Sequence, residues 1–515
     1  MMRFKSTAKG FFGLVILIVS LVLPSHPLWA SNTLRIGIGI DADSLSPQEQ
    51  TTVLIINLCD LMYETLFYQN EKGEAVPMLA TEKSVSRDGL VWTLKLRRGV
   101  RFHDGTPFNA EAVKAGLDRA LDPKIRVPLR FTIGMIDRVE VVDEYTVRIH
   151  LKYPYAPFDL ALSMAITAPL SPKAIKELGD KVGLQPVGTG PFKLGEWVKG
   201  ERIVLVRNED YYGKKPALEK IIFRIIPDHG TRTAMLRAGD LDMIVSPQPP
   251  DVPALEKDSN LKVINAPSVR YIFMGMNNQK EIFKDKRVRQ AFNFAVDKEM
   301  IVKKILFGLA DVADAPMPST IFGYHKTGKY EYNPAKAKEL LAAAKFPMDT
   351  KISLVTSSGR FPFDKQVSEA IQAYLTDIGL QVEVRTYDWP TFMAMVLKPV
   401  EQNELQLVLG GWAPVILDAD MMVSGQFHSS AWPPKGMGVA FYKNPEVDSL
   451  IDEARKAQEP MKRKELYQKM STLIWDDAPW IFLYVQKFTI VHRKNVKGIT
   501  VLPSEKFNPV YATVE

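Results

Sequence analysis

The sequence predicts an α/β protein built from more than one lobe. Three observations predict it. Residues 351–409 alternate strand-like and helix-like patterns in the order β-α-β-α-β. The first half is rich in strand patterns with interspersed helices. And 515 residues are too many for a single core. With 24% charged and 46% hydrophobic residues, the composition is neither fibrous nor disordered.

The elements follow in order. Arg3, Lys5 and Lys9 precede an apolar run, 11–23, which Pro24 ends, and Leu28-Trp29-Ala30 offers a cleavage site before Ser31. The run is shorter than the roughly 20 residues a membrane span needs. Residues 1–30 therefore read as a signal peptide, with an uncleaved anchor as the rival, and the remainder as a soluble exported chain. Leu34-Arg-Ile36-Gly-Ile38-Gly-Ile40 alternates as a strand does, and residues 41–47 turn away from it. Strand patterns recur at 91–96, 139–151, 203–207 and 220–226. Asn109 stands where a helix cap belongs, ahead of Val113, Leu117, Ala120 and Leu121 on one face. Ser171-Pro172 opens a short helix, and Gly188-Thr-Gly190-Pro191 is a tight turn.

In the second half a helix is predicted over 287–306. A strand at 351–356 leads to a helix capped by Asp364, with Val367, Ala370, Ile371, Tyr374 and Ile378 on one face and Gly379 at its end. A strand at 381–385, a helix at 389–397 and a strand at 405–409 complete the pattern of a largely parallel sheet. Helices at 445–457 and 463–474 and a strand at 480–485 follow.

Removing the leader takes Lys+Arg from 66 to 63 against 59 Asp+Glu, a net charge of +4. Both signs are interleaved and no long basic run occurs, so nucleic acid is not expected as a partner. Cys59 is alone, which excludes intrachain disulfides and cysteine-based zinc sites.

Ligands of open α/β sheets bind beyond the carboxyl ends of the strands. Two loops fit. Residues 357–363 carry Arg360 flanked by Phe361 and Phe363, and residues 410–422 carry Gly410-Gly411-Trp412-Ala413, then Asp418 and Asp420. An arginine fork suits a carboxylate, aromatic rings supply apolar area, and glycine lets a ligand approach the backbone. A solvated loop charge is the alternative for Arg360, and core packing the alternative for Trp412. Catalytic motifs fail. Gly323 to Lys329 imitates a phosphate loop until Tyr330, where Ser or Thr should stand. No H-E-x-x-H or G-x-S-x-G occurs. Neither an enzyme nor a cofactor is expected.

Four segments read together resemble a known family: residues 96–110 (Leu-Arg-Arg-Gly-Val-Arg-Phe-His-Asp-Gly-Thr-Pro-Phe-Asn-Ala), 187–193 (Val-Gly-Thr-Gly-Pro-Phe-Lys), 285–297 and 444–448 (Asn-Pro-Glu-Val-Asp). They are similar, in order, to segments of the bacterial extracellular solute-binding proteins of family 5, the peptide- and nickel-binding components of ABC transporters. The resemblance implies a two-lobed periplasmic-binding-protein fold, a Venus flytrap of the large type II-like class with an extra inserted subdomain. Lobe I would take 31–269 plus 490–515, including a subdomain at about 57–180. Lobe II would take 277–486, with crossovers at 270–276 and 482–486. It also implies a periplasmic monomer that binds a small-molecule or peptide ligand and hands it to the permease and ATPase subunits in the inner membrane.

Residue by residue, Arg360 sits where dipeptide-binding members place the arginine for the peptide carboxylate. Residues 411–420 (Gly-Trp-Ala-Pro-Val-Ile-Leu-Asp-Ala-Asp) resemble the family stretch whose first Asp binds the peptide ammonium, and this chain has Val415 there. The expected ligand-binding set is Arg360, Phe363, Trp412, Ala413, Asp418, Asp41 and Asp43. The last two are substitutes for the missing anion, with turn capping as their alternative. Three cargo classes stay open: a peptide or peptide-like solute, a non-peptide carboxylate such as an opine or sugar acid, and a nickel chelate with His428 as a ligand. An exported hydrolase or a ligand sensor on the same lobes is the competing class.

Overall fold

Two long strands organise the computed structural model, which describes residues 32–515. The expected signal peptide, residues 1–30, lies outside them. Leu261–Met276 and Trp480–Arg493 pair antiparallel from Leu261 opposite Arg493 to Gly275 opposite Trp480. The register shifts between Pro267 and Tyr271, at the edge of the expected 270–276 crossover. Phe273 and Trp480 stack here with centroids 3.6 Å apart, a large apolar contact that fixes one strand on the other.

Beyond the shift lies the predicted alternation. Lys351–Ser357 pairs in parallel with Gln381–Tyr387 on one side and with Leu407–Trp412 on the other, and Leu407–Trp412 lies antiparallel against the long strand. Helices Asp364–Asp377 and Trp389–Val396 make the crossovers. Separate apolar cores fill the two faces of this sheet. On the other side of the shift, Thr33–Ile38 pairs in parallel with Lys220–Ile225 and Met243–Val245, over its own core. Lys220–Ile225 continues antiparallel to Arg202–Arg207, which pairs with Phe192–Val198.

A separate four-stranded sheet, ordered Ala80–Val85, Val91–Leu96, Thr146–Leu151, Ile136–Asp143, packs on helix Ala110–Leu121. As expected, the Asn109 side chain caps that helix by accepting from the Ala112 N–H. The predicted Gly188–Gly190 turn has a packing cause: a Cβ at Gly188 would lie 2.0 Å from the Met62 carbonyl oxygen. Only glycine permits that approach.

Local details differ from the sequence expectations. The helix predicted over 287–306 is broken into Lys286–Ala295, Lys298–Met300 and a π-helical turn at Ile301–Ile305. Val296 is extended, and the Asp297 side chain caps a new turn by accepting from the Met300 N–H. The strand expected at 480–485 runs on to Arg493. Cys59 is a buried free thiol. Among the described residues no helix is long and apolar enough to cross a membrane.

Candidate ligand-binding cleft

A cavity of 440 Å³ opens where the 357–363 loop faces residues 39–57. Arg360 and Phe361 line it from the loop, and Gly39 and Asn57 from the opposite wall. Arg270, from the long strand, and Glu505, near the end of the chain, also line it. Arg270 Nε donates to Glu505 Oε1 at 2.8 Å and Nη2 to Oε2, a two-pronged pair that engages the Glu505 carboxylate.

Arg360 is different. Among the described residues no carboxylate lies within ion-pair range of its guanidinium, which sits 4.9 Å from the Trp389 ring centroid and 5.9 Å from that of Phe361. Desolvation by surrounding protein and the nearby Arg270 charge lower its pKa. Glu505 offsets them in part, and an incoming carboxylate would give the desolvated guanidinium a partner of its own. Arg232 adds positive charge from a buried position, donating to the Pro227 carbonyl at 3.0 Å and sitting against His229 Nδ1.

The loop's shape comes from Asp364. Its carboxylate accepts the backbone N–H groups of Gly359 at 3.1 Å, Arg360 at 2.9 Å and Phe361 at 3.3 Å. Asp364 was expected as the helix cap. Phe363 occupies that position instead, in the left-handed region at φ 57°, while Asp364 gathers the loop from within the first turn.

Two further cavities continue along helix Val53–Cys59. A small one of 30 Å³ shares Val53 with the first, and one of 410 Å³ shares Asn57 with it. Val415, Ser504 and Lys506 line both. In the larger, Lys506 Nζ lies 2.7 Å from Asp60 Oδ2. Buried Glu64 accepts from the hydroxyls of Tyr211 at 2.8 Å, Tyr212 at 3.0 Å and Thr189 at 2.9 Å. Burial outweighs those bonds and pushes its pKa up to about 7.

Of the expected ligand-binding residues, Arg360 lines the first cavity and the others do not. Phe363 packs toward Phe307, with centroids 6.4 Å apart, and Phe361 forms the wall in its place. Trp412 lines another cavity, of 620 Å³, beside Met421 and Arg455. Ala413 is half-buried on the same core. Asp418 is 1% exposed and enclosed: its Oδ1 receives Arg463 Nη2 at 2.7 Å, Tyr467 Oη at 3.2 Å and the Asp420 N–H at 2.9 Å. It holds helix Ala419–Gln426 to helix Pro460–Asp477 and has no face toward the cleft cavities. Asp41 is a turn cap. It accepts from the Ala42 and Gly200 N–H groups at 2.8 and 2.7 Å and from Trp197 Nε1 at 3.0 Å. Asp43 is exposed and lines neither cavity. His428 caps a turn through Nδ1, and no cluster of three metal-ligating side chains occurs among the described residues.

Sequence reasoning missed Arg232, Arg270 and Glu505 as parts of a site. Arg270 and Glu505 are 235 residues apart and no local pattern pairs them.

Comparison with known proteins agrees with this architecture. Residues 74–434 match the model described as bacterial extracellular solute-binding proteins, family 5 Middle. The chain is 33% identical to the glutathione-binding protein GsiB of Pectobacterium atrosepticum over 492 residues, 95% of this chain and 96% of that one. The structure of HbpA2 from Haemophilus parasuis superposes with a TM-score of 0.86 at 27% identity, covering 94% of this chain and all of that one. The periplasmic binding protein DppA from Helicobacter pylori, in complex with the peptide STSA, gives 0.79 at 31% identity over 92% and 97% of the two chains. The two-lobed periplasmic-binding-protein fold is therefore shared. The chain belongs to the bacterial extracellular solute-binding proteins of family 5, the substrate-binding components of ABC importers.

Proposed function

We propose that this protein captures a peptide or peptide-like solute bearing a free carboxylate, as a periplasmic monomer, and delivers it to the permease of an ABC importer. The observation that carries this is Arg360, a guanidinium without an acid partner among the described residues on the wall of a 440 Å³ cavity. The relatives favour the same class: glutathione and the peptide STSA both carry carboxylates.

The working cycle follows from the expected lobes, 31–269 plus 490–515 and 277–486, joined at 270–276 and 482–486. Cargo that touches both walls shifts the population toward the closed form, by no more than its differential affinity for the two forms. The permease then accepts the closed shape, and ATP hydrolysis belongs to the partner ATPase. The cargo leaves chemically unchanged. Residues 1–30 serve as the cleaved signal, so the periplasmic protein begins at Ser31, which N-terminal sequencing checks.

The test is calorimetry of cargo-stripped protein with small peptides and their C-terminal amides. Tighter binding of the free acids by about tenfold supports the proposal, and equal affinity overturns it. Val415 favours a second reading, a non-peptide carboxylate such as an opine or sugar acid, because Asp41 is engaged elsewhere and Asp43 lines neither cavity. Mass spectrometry of the compound that co-purifies separates the two.

A further inference from the structure

The charge on the walls of the 440 Å³ cavity is unbalanced. Among its lining residues Arg232, Arg270, Arg360 and Lys487 are cationic, and Glu505 alone is acidic. Arg270 takes Glu505, and Lys487 Nζ lies 3.2 Å from Asp311 Oδ1, outside the cavity. Arg360 and Arg232 are left, each with no carboxylate in ion-pair range among the described residues. One carboxylate at Arg360 answers only half of this excess.

Arg232 stands where ligands of parallel sheets bind. Thr33–Ile38 runs parallel to Lys220–Ile225 and Met243–Val245, and Gly39, Pro227 and Ser246, just past the carboxyl ends of those strands, all line the cavity. Arg360 follows the carboxyl end of Lys351–Ser357 on the other wall. Each wall thus brings one guanidinium without an acid.

Arg232 is 3% exposed, so its charge reaches the cavity through a neighbour. Its guanidinium donates to the carbonyls of Ile226 and Pro227 and to His229 Nδ1. Carbonyls solvate a guanidinium without cancelling its charge. A ring nitrogen that accepts cannot carry the proton, so His229 is held as the Nε2–H tautomer. His229 is half-buried and lines the cavity, and no described residue accepts from its Nε2. Asp228 and Asp251 temper the charge around His229 from outside. Neither lines the cavity, and the Asp228 carboxylate is occupied by the Thr231 N–H and hydroxyl, both at 2.7 Å.

We propose that His229, backed by Arg232, holds a second carboxylate of the cargo across the cavity from the one at Arg360, so that the preferred cargo is a peptide or peptide-like solute with two free carboxylates. The inference rests on the reading that Arg360 holds the first carboxylate, and it narrows that reading. Ordered water at His229 is the competing occupant, and it predicts no preference for a second acid.

Calorimetry on cargo-stripped protein compares Ala-Glu with Ala-Gln, close in shape but differing in side-chain charge, in the parent, in His229→Phe and in Arg360→Ala. Ala-Glu is expected to bind the parent about tenfold tighter than Ala-Gln, and His229→Phe to cut that advantage to about threefold or less. If circular dichroism shows His229→Phe unfolded, His229→Ala is read by the same ratio. Imidazole nitrogen shifts in NMR, assigned by the signal that the His229 variant loses, should report the Nε2–H tautomer in the parent and a mixture of tautomers in Arg232→Met. Equal binding of the two dipeptides overturns the second subsite. So does an advantage that survives loss of the imidazole, or an Nδ1–H tautomer in the parent. The failures are distinguishable: binding that needs Arg360 but ignores the side-chain charge removes the second subsite alone. Binding of neither dipeptide, or binding of both indifferent to Arg360→Ala, removes the carboxylate reading and the second subsite with it.

Discussion

The Asp364 carboxylate carries the main chain of Arg360, accepting its N–H at 2.9 Å while the Arg360 guanidinium lies along the cavity wall. The side chain proposed to meet the cargo is thus carried on backbone held by an acid four residues later in the sequence.

Arg360→Ala is expected to weaken a carboxylated dipeptide by at least about 1.5 kcal/mol, the low end for a charge-assisted hydrogen bond. Arg360→Lys should recover only part, since an ammonium lacks the planar fork. Unchanged calorimetric affinity in Arg360→Ala would place the carboxylate elsewhere.

Asp364→Ala frees three loop N–H groups at once. A loss of stability of about 1–3 kcal/mol is expected in urea melts. Dipeptide affinity should fall nearly as far as in Arg360→Ala, and the double variant should be no weaker than the worse single one, because the residues act as a unit. Additive losses would show that Asp364 acts independently of Arg360.

Val415→Asp places an acid where the resemblance implies an ammonium-binding Asp. Binding of free-amine dipeptides should tighten by about tenfold or more, as a desolvated ammonium gains a counter-charge. No gain would favour cargo without an ammonium at that end.

Asp418→Ala tests whether that residue joins two helices or meets the cargo. Removing one partner of a buried ion pair leaves the Arg463 guanidinium uncompensated and costs about 3–5 kcal/mol. The melting temperature should drop sharply, with peptide affinity of the folded protein within about twofold of the parent. A selective loss of affinity would return Asp418 to the cleft.

Glu64 predicts a pH dependence of stability. Its carboxyl titrates near 7 in the folded chain, raised by burial from the ordinary value of 4.5. The folded state therefore holds the proton more tightly than the unfolded chain, and the stability from this group is fully present below pH 4.5 and lost as pH rises through 7. The loss is on the order of 3 kcal/mol. Glu64→Gln should flatten that part of the profile in urea melts from pH 4 to 9, and an unchanged slope would assign it to other groups.

The fold was legible where periodicity is strong. Strands 351–357, 381–387 and 407–412 and the helices between them follow from alternating and 3.6-residue apolar patterns, because each element buries one face. The break at Val296-Asp297 is hidden in the sequence because Asp297 caps a new turn inside an apolar pattern that reads as continuous. Of the candidate site, the place of Arg360 on a cavity wall was legible from its loop at a strand end. The placement of Asp418, Asp41 and Asp43 was not: they share loops of the right kind, but whether an acid faces a cleft or a neighbouring helix depends on partners such as Arg463 and Trp197, far away in the chain. Arg270 and Glu505 were silent for the same reason.

Ser504 and Lys506 line the 410 Å³ cavity and Glu505 the 440 Å³ one, beside residues that lie hundreds of positions earlier in the chain. A variant cut before Thr500 would strip Arg270 of its counter-charge, leaving another unpaired guanidinium near Arg360.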